Sequence, residues 1–210
     1  MQLTGRERAY NYLRGQLLSD PSLAGTFISE ASVAHEAGVS RTPVREAMLM
    51  LAAEDLVQLV PHRGAFVASP TPGQIRDVLE AREALETWAS RIVLARGDAP
   101  IVAMQDCIDR QRQLSGKDTD WDFIAIDSEF HMQLITKTGN EMVQRMYEIA
   151  RMRHLHIGVA AIEQSPTRRD EVIAEHQSIV DALKAADEGM ALDAISAHLR
   201  ATQRSLLDPN

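Results

Sequence analysis

The apolar positions of the chain change their period twice. Between Arg6 and Leu18, Tyr10, Leu13 and Leu17 recur at three- and four-residue spacing, which predicts an amphipathic first helix. Ser29 to Ala37 predicts a short second helix with Val33 and Ala34 facing inward, and Val44, Ala47, Met48 and Leu51 mark the buried face of a third. Leu56–Val60 and Ala65–Ala68 are then short β-prone runs joined by Pro61-His62-Arg63-Gly64, the pattern of a hairpin. Ser69-Pro70-Thr71-Pro72-Gly73 can continue neither a strand nor a helix, and after it the helical period returns. Six further helices are predicted there, over roughly 72–96, 99–115, 119–138, 140–163, 167–187 and 189–207. The expected fold is mainly α. Residues 1–70 form a winged helix–turn–helix of three helices plus a β-hairpin, and residues 71–210 form an all-α antiparallel bundle.

The segment Gly38-Val39-Ser40-Arg41-Thr42-Pro43-Val44-Arg45-Glu46-Ala47 gives the first half its chemistry. Gly38 allows a tight corner between helices. Ser40 or Thr42 can cap the third helix, and Pro43 is tolerated in a first turn whose N–H groups lack partners. Arg41 and Arg45 lie one turn apart on a side other than the buried one, near the helix start, where a recognition helix meets bases and phosphates. Arg63 makes the hairpin tip basic, and His62 beside it can touch a phosphate.

These residues resemble the GntR transcription regulators of bacteria, through VSRTPVREA, the following MLMLAAEDLV and the wing VPHRGAFV. The resemblance implies that Arg41, Thr42 and Arg45 contact an operator in double-stranded DNA and that Gly64, beside Arg63, approaches the minor groove. The chain departs from the family at Asp55, where glycine usually ends the recognition helix, and at Ala31, where a basic residue is common.

Charge changes the picture of binding. The net charge of −8 divides unevenly: residues 1–70 carry six Lys/Arg against seven Asp/Glu, net −1, and residues 71–210 carry 16 against 23, net −7. Neither half is a polybasic surface, so recognition is expected to rest on a few placed arginines and on two copies of the domain reading a palindrome, that is, on a homodimer. The single cysteine, Cys107, argues against a disulfide framework and fits a reducing compartment. With no signal-like segment and no long apolar span, the expected location is the cytoplasm, away from membranes.

The second half carries its own signal. Phe123, Asp127, Phe130, His131 and Leu134 share one helical face; Val172, His176, Ile179, Val180 and Leu183 share another; Leu192, Ile195, His198, Leu199 and Thr202 a third. Three helices thus direct polar groups into a core, where an unpaired carboxylate is costly. One Asp and three His match the ligand set of a divalent metal, Zn²⁺, Ni²⁺ or Mn²⁺. Asp127-x-x-x-His131, with His176 in EHQSIVDAL and His198 in ISAHL, also resembles the metal-binding FCD domain of the FadR-type subgroup, as does Gly139-Asn140. The resemblance implies metal ligation by those four residues.

Four protein ligands leave two octahedral positions for water or a carboxylate. Arg82 interrupts the inward stripe Ile75, Val78, Leu79, Leu85 and Ala89, so it either meets the carboxylate of an effector or pairs with Glu86 one turn on. His156, on a stripe with Ile149 and Met152, is read as packing that can line the pocket; Met142, Met146 and Met152 are read as adaptable core. Glu175 precedes His176 and is expected on a different face. No carboxylate or histidine therefore takes a general-base role beside the site, which argues against a metalloenzyme with an appended DNA-binding domain. The expectation is a regulator whose operator binding responds to a small organic acid held at the metal; a purely structural metal is the alternative.

Overall fold

The computed structural model describes the chain apart from residues 1, 2, 21, 22, 55, 69, 116–118, 164, 166 and 208–210, and apart from the side chains at 18, 19, 152, 154–157, 160 and 163. The sequence features assigned to Asp55, Met152 and His156 lie outside those described residues. The chain divides into two compact units, Met1–Ser69 and Pro70–Asn210.

In the first unit, α1 (Gly5–Ser19) begins with a capping box: the Thr4 hydroxyl accepts from the Glu7 N–H, and the Glu7 carboxylate accepts from Thr4 N. Helix α2 (Glu30–Glu36) is capped by Ser29, whose hydroxyl accepts from Ser32 N. Gly38 stands at the corner with φ +62°, a conformation costly for residues with a Cβ. Ser40 occupies the N-cap position of α3 (Arg41–Ala53), but its side chain makes no capping bond, so Pro43 and the buried face define that start. Ala9, Leu13 and Leu17 of α1, Val33 of α2 and Val44, Ala47, Met48 and Leu51 of α3 close one core together with Val57, Ala65 and Val67. Each large apolar side chain so buried contributes about 1.5–3 kcal/mol.

The wing differs from the expected hairpin. Strands β2 (Gln58–Val60) and β3 (Gly64–Phe66) pair antiparallel, and a third strand, β1 (Phe27–Ile28), pairs with the other edge of β3, giving the order β1-β3-β2. Two residues are too few to produce an alternating pattern, so the sequence carries no periodic signal for β1. The contact that demands it is visible at Gly64. With φ +97°, a Cβ there would collide with the Ile28 carbonyl oxygen.

In the second unit, α4 (Pro72–Arg96), α5 (Ile101–Gln113), α6 (Asp120–Lys137), α7 (Glu141–Glu163), α8 (Arg168–Lys184) and α9 (Glu188–Leu207) follow the predicted segments closely. Thr71 and Gln74 form a second capping box at the start of α4, and Gly97 ends it in the left-handed conformation. Helix α9 packs on α4 and α8, α6 on α5 and α7, and α5 on α8, around a core that includes Val93, Ile108, Phe130, Tyr147, Ile179 and Ile195. Met142 and Met146, expected in this core, are instead 60 % and 52 % exposed. They lie on a face of α7 away from the face that buries Tyr147 and Ala150. Among the described residues no helix is long and apolar enough to cross a membrane.

Candidate metal centre and nucleic-acid interface

Helix α6 carries Asp127 and His131 one turn apart, α8 carries His176 and α9 carries His198. The fold brings all four together, at 2 %, 1 %, 0 % and 1 % exposure. One ligand atom from each lies within 4.8 Å of all the others. Donors about 2.1 Å from a common ion are about 3.4 Å apart in a tetrahedron and at most about 4.2 Å apart across an octahedron, so the outermost of these atoms must draw in by roughly 0.6 Å or more to share one ion.

Each imidazole is held through its Nδ1. His131 Nδ1 lies 2.8 Å from Glu86 Oε2, His176 Nδ1 3.0 Å from Gln111 Oε1, and His198 Nδ1 2.7 Å from Glu175 Oε2. All three partners accept, so each Nδ1 carries the proton and each Nε2 presents a lone pair. Burial holds the His131 imidazolium down to a pKa of about 3, with Glu86 opposing; burial likewise lowers that of His198, against the pull of Glu175. All three Nε2 atoms are buried without a hydrogen-bond partner among the described residues. A lone pair and a carboxylate oxygen repel one another, yet His176 Nε2 sits 3.2 Å from Asp127 Oδ1. A cation between them removes that repulsion and three desolvation penalties of about 1–3 kcal/mol each. The donor set therefore fits a divalent metal, with intermediate imidazole ligands and one carboxylate.

The orienting residues were not legible as such in the sequence. Glu86, fully buried, accepts from Arg82 Nε at 2.8 Å and from the Tyr147 hydroxyl at 2.8 Å, besides holding His131. Burial alone would raise its carboxyl pKa, but Arg82 and His131 outweigh that and hold it ionised. Arg82 thus forms the in-chain pair that was one of its two readings, and through Glu86 it supports His131. Glu175 corrects the expectation made for it. Although it faces a different side of α8 from His176, its side chain reaches His198 on α9 and the guanidinium of Arg168. The sequence signal was the helical spacing of Arg168, Glu171 and Glu175, which does not by itself say that the cluster reaches His198.

In the first unit Arg41, Thr42 and Arg45 are exposed at the start of α3. Arg45 Nε lies 2.8 Å from both Glu30 oxygens, with its side chain 66 % exposed. An exposed ion pair is worth about 0–1 kcal/mol, less than the roughly 1–3 kcal/mol of a bidentate base contact, so Glu30 does not withhold Arg45 from DNA. Arg63 stacks over the Phe27 ring at 3.8 Å, which itself packs on Phe66 at 4.9 Å. Strand β1 thereby steadies the basic tip of the wing. Gly64 has a structural cause in the approach of Ile28, independent of any groove contact.

Three helices, a three-stranded wing and exposed arginines at the head of the third helix define a winged helix–turn–helix DNA-binding protein, here joined to a helical bundle able to hold a metal. The chain belongs to the GntR family of bacterial regulatory proteins: residues 6–67 match that family and residues 77–201 match the FCD domain. It is 34 % identical to an HTH-type transcriptional regulator in an unstable DNA locus of Streptomyces ambofaciens, over 94 % of this chain and 83 % of the relative. It is 32 % identical to the gluconate operon transcriptional repressor of Bacillus subtilis, over 69 % of this chain and 59 % of that one. The solved structure of a transcriptional regulator GntR from Rhodococcus sp. RHA1 shares the fold, with a TM-score of 0.82 at 19 % identity over 98 % of each chain. The protein is a transcriptional regulator and not an enzyme.

Proposed function

We propose that the chain is a ligand-responsive, cytoplasmic, sequence-specific regulator in which a metal-anchored small organic acid in the 71–210 domain modulates operator binding by a homodimer of the 1–70 domain. The observation that carries this reading is the set of three buried Nε2 atoms, without a hydrogen-bond partner among the described residues, gathered with Asp127. Asp127, His131, His176 and His198 hold the ion, with Zn²⁺ the best match to three imidazoles and a carboxylate and Ni²⁺ or Mn²⁺ the other candidates. When bound, such an ion supplies a fixed positive charge and open positions for a carboxylate. Arg41, Thr42 and Arg45 read a palindromic operator, while Arg63 and Gly64 of the wing approach the backbone and the minor groove. A relative named for the operon of gluconate, a hydroxy acid, supports the carboxylate class. An effector acts only through unequal affinity for two conformers, so the bundle must differ between its bound and unbound states.

The test is a thermal-shift screen of metal-loaded and chelated protein against small carboxylates, followed by operator binding with the active acid. An acid at about a hundred times its Kd adds roughly 2.7 kcal/mol of stability. A shift confined to metal-loaded protein, with a matching change in operator affinity, is expected. A large loss of stability on chelation with no response to any acid would assign the metal a structural role alone.

A further inference from the structure

Helix α3 carries a large apolar side chain on the face where its polar ones stand. Val44, Ala47, Met48 and Leu51 make its buried side, while Arg41, Thr42, Arg45 and Glu46 are exposed. Leu49 stands among the exposed set. At about 100° per residue it falls about 20° around the helix from Thr42 and about 40° from Arg45, inside the arc those two span. It is 58 % exposed, the most exposed large apolar side chain among the described residues of the first unit, and it takes no part in that unit's core.

Arg45 does not cover it. Arg45 Nε lies 2.8 Å from both Glu30 oxygens, which turns the guanidinium toward α2. Helical side chains lean toward the N-terminus, so Leu49 leans back over the turn that holds Arg45. A side chain on this part of a recognition helix meets base edges. In the major groove, guanine, cytosine and adenine offer only hydrogen-bonding groups there, and thymine alone adds an apolar one, its 5-methyl. Leucine set against any other edge strips water from a donor or acceptor and returns no bond.

We propose that Leu49 is a specificity-determining residue that packs on the 5-methyl group of one thymine in each operator half-site. This rests on the reading of α3 as the recognition helix, with Arg45 at a base. About 6 Å of helix rise separates Leu49 from Arg45, and successive bases on a strand are about 3.4 Å apart, so the thymine lies about two base steps from the base that Arg45 meets. The contact selects in two ways: the methyl covers apolar surface, and cytosine in its place sets an N4 donor against a side chain that cannot accept.

The test is titration of the full-length protein with a duplex that the same protein has selected from random sequence. Its thymines are replaced by uracil one symmetric pair at a time, which removes only the 5-methyl. At one pair, about two steps from the base whose preference is lost in Arg45→Ala, binding is expected to weaken about fourfold per half-site, the equivalent of roughly 0.8 kcal/mol for one buried methyl. Leu49→Ala is expected to bind the thymine and uracil duplexes equally, and to melt as the unaltered protein does because Leu49 lies outside the core. Equal binding of every uracil duplex by the unaltered protein overturns the thymine contact. A uracil effect that keeps its size in Leu49→Ala overturns it as well, whatever that variant's affinity. In both cases a base preference lost in Arg45→Ala leaves the recognition-helix reading standing. Selection of unchanged sequences by both Arg45→Ala and Leu49→Ala removes that reading and the thymine contact together.

Discussion

At the scale of single residues, the bundle core is governed by which nitrogen of each histidine is engaged. Glu86, Gln111 and Glu175 take the three Nδ1 protons and so leave three Nε2 lone pairs aimed at Asp127. Gln111 is the gentlest of the three to alter, because it is uncharged and otherwise donates only to the Phe123 carbonyl at 3.3 Å. Gln111→Ala releases the ring of His176 and is expected to weaken metal binding about 10–100-fold, the usual effect of losing a residue that orients a ligand. Competition with a chelating dye measures this, and unchanged affinity would show that the stacking of Phe130 on His176 at 4.0 Å orients the ring by itself. Glu86 is a harsher target. Removing it breaks the fully buried pair with Arg82, a loss of about 3–5 kcal/mol for a broken buried pair.

At the scale of elements, the wing shows how a strand of two residues sets a whole surface. Strand β1 pairs with β3 and places Phe27 under Arg63. Gly64→Ala introduces a Cβ against the Ile28 carbonyl at a φ of +97°, so β1 and β3 must part. The substitution is expected to destabilise the first unit by on the order of 1–3 kcal/mol, the cost of a residue forced into a sparse backbone region, and to lower DNA affinity with it. Thermal unfolding followed by operator titration checks both; an unchanged melting temperature would mean that the sheet edge yields freely. The recognition helix is different, since its surface arginines carry little of the fold. Arg45→Ala is expected to leave stability within about 0.5 kcal/mol while costing roughly 1–3 kcal/mol of discrimination at the base it reads. Selection of bound sequences by the variant and the parent distinguishes the two effects.

At the scale of the whole molecule, two separate cores lie in one chain, in Met1–Ser69 and Pro70–Asn210. Separate cores need not melt together. Only the second contains the Asp127, His131, His176 and His198 set, so metal is expected to raise the transition of that unit and leave the other in place. Calorimetry of the full chain with and without chelator reads this directly. Two transitions rising together on metal addition would show that the units unfold as one.

What the sequence by itself determined follows from periodicity and punctuation, which are local. The recurrence of Val44, Ala47, Met48 and Leu51, the corner at Gly38, the break at Pro70-Thr71-Pro72-Gly73 and the inward stripes bearing Asp127, His131, His176 and His198 are each legible within a few turns of chain. The nine helices of the described residues follow from that same information. What only the tertiary structure decided are pairings between distant segments. Glu175 reaching His198, Gln111 reaching His176, Tyr147 reaching Glu86 and Ile28 facing Gly64 join residues on different elements. A side chain of three or four bonds can swing from one helical face to the next, so the face on which its Cα sits does not say what its polar end will touch. Periodicity reports where the backbone points a residue, and packing decides which neighbour satisfies it.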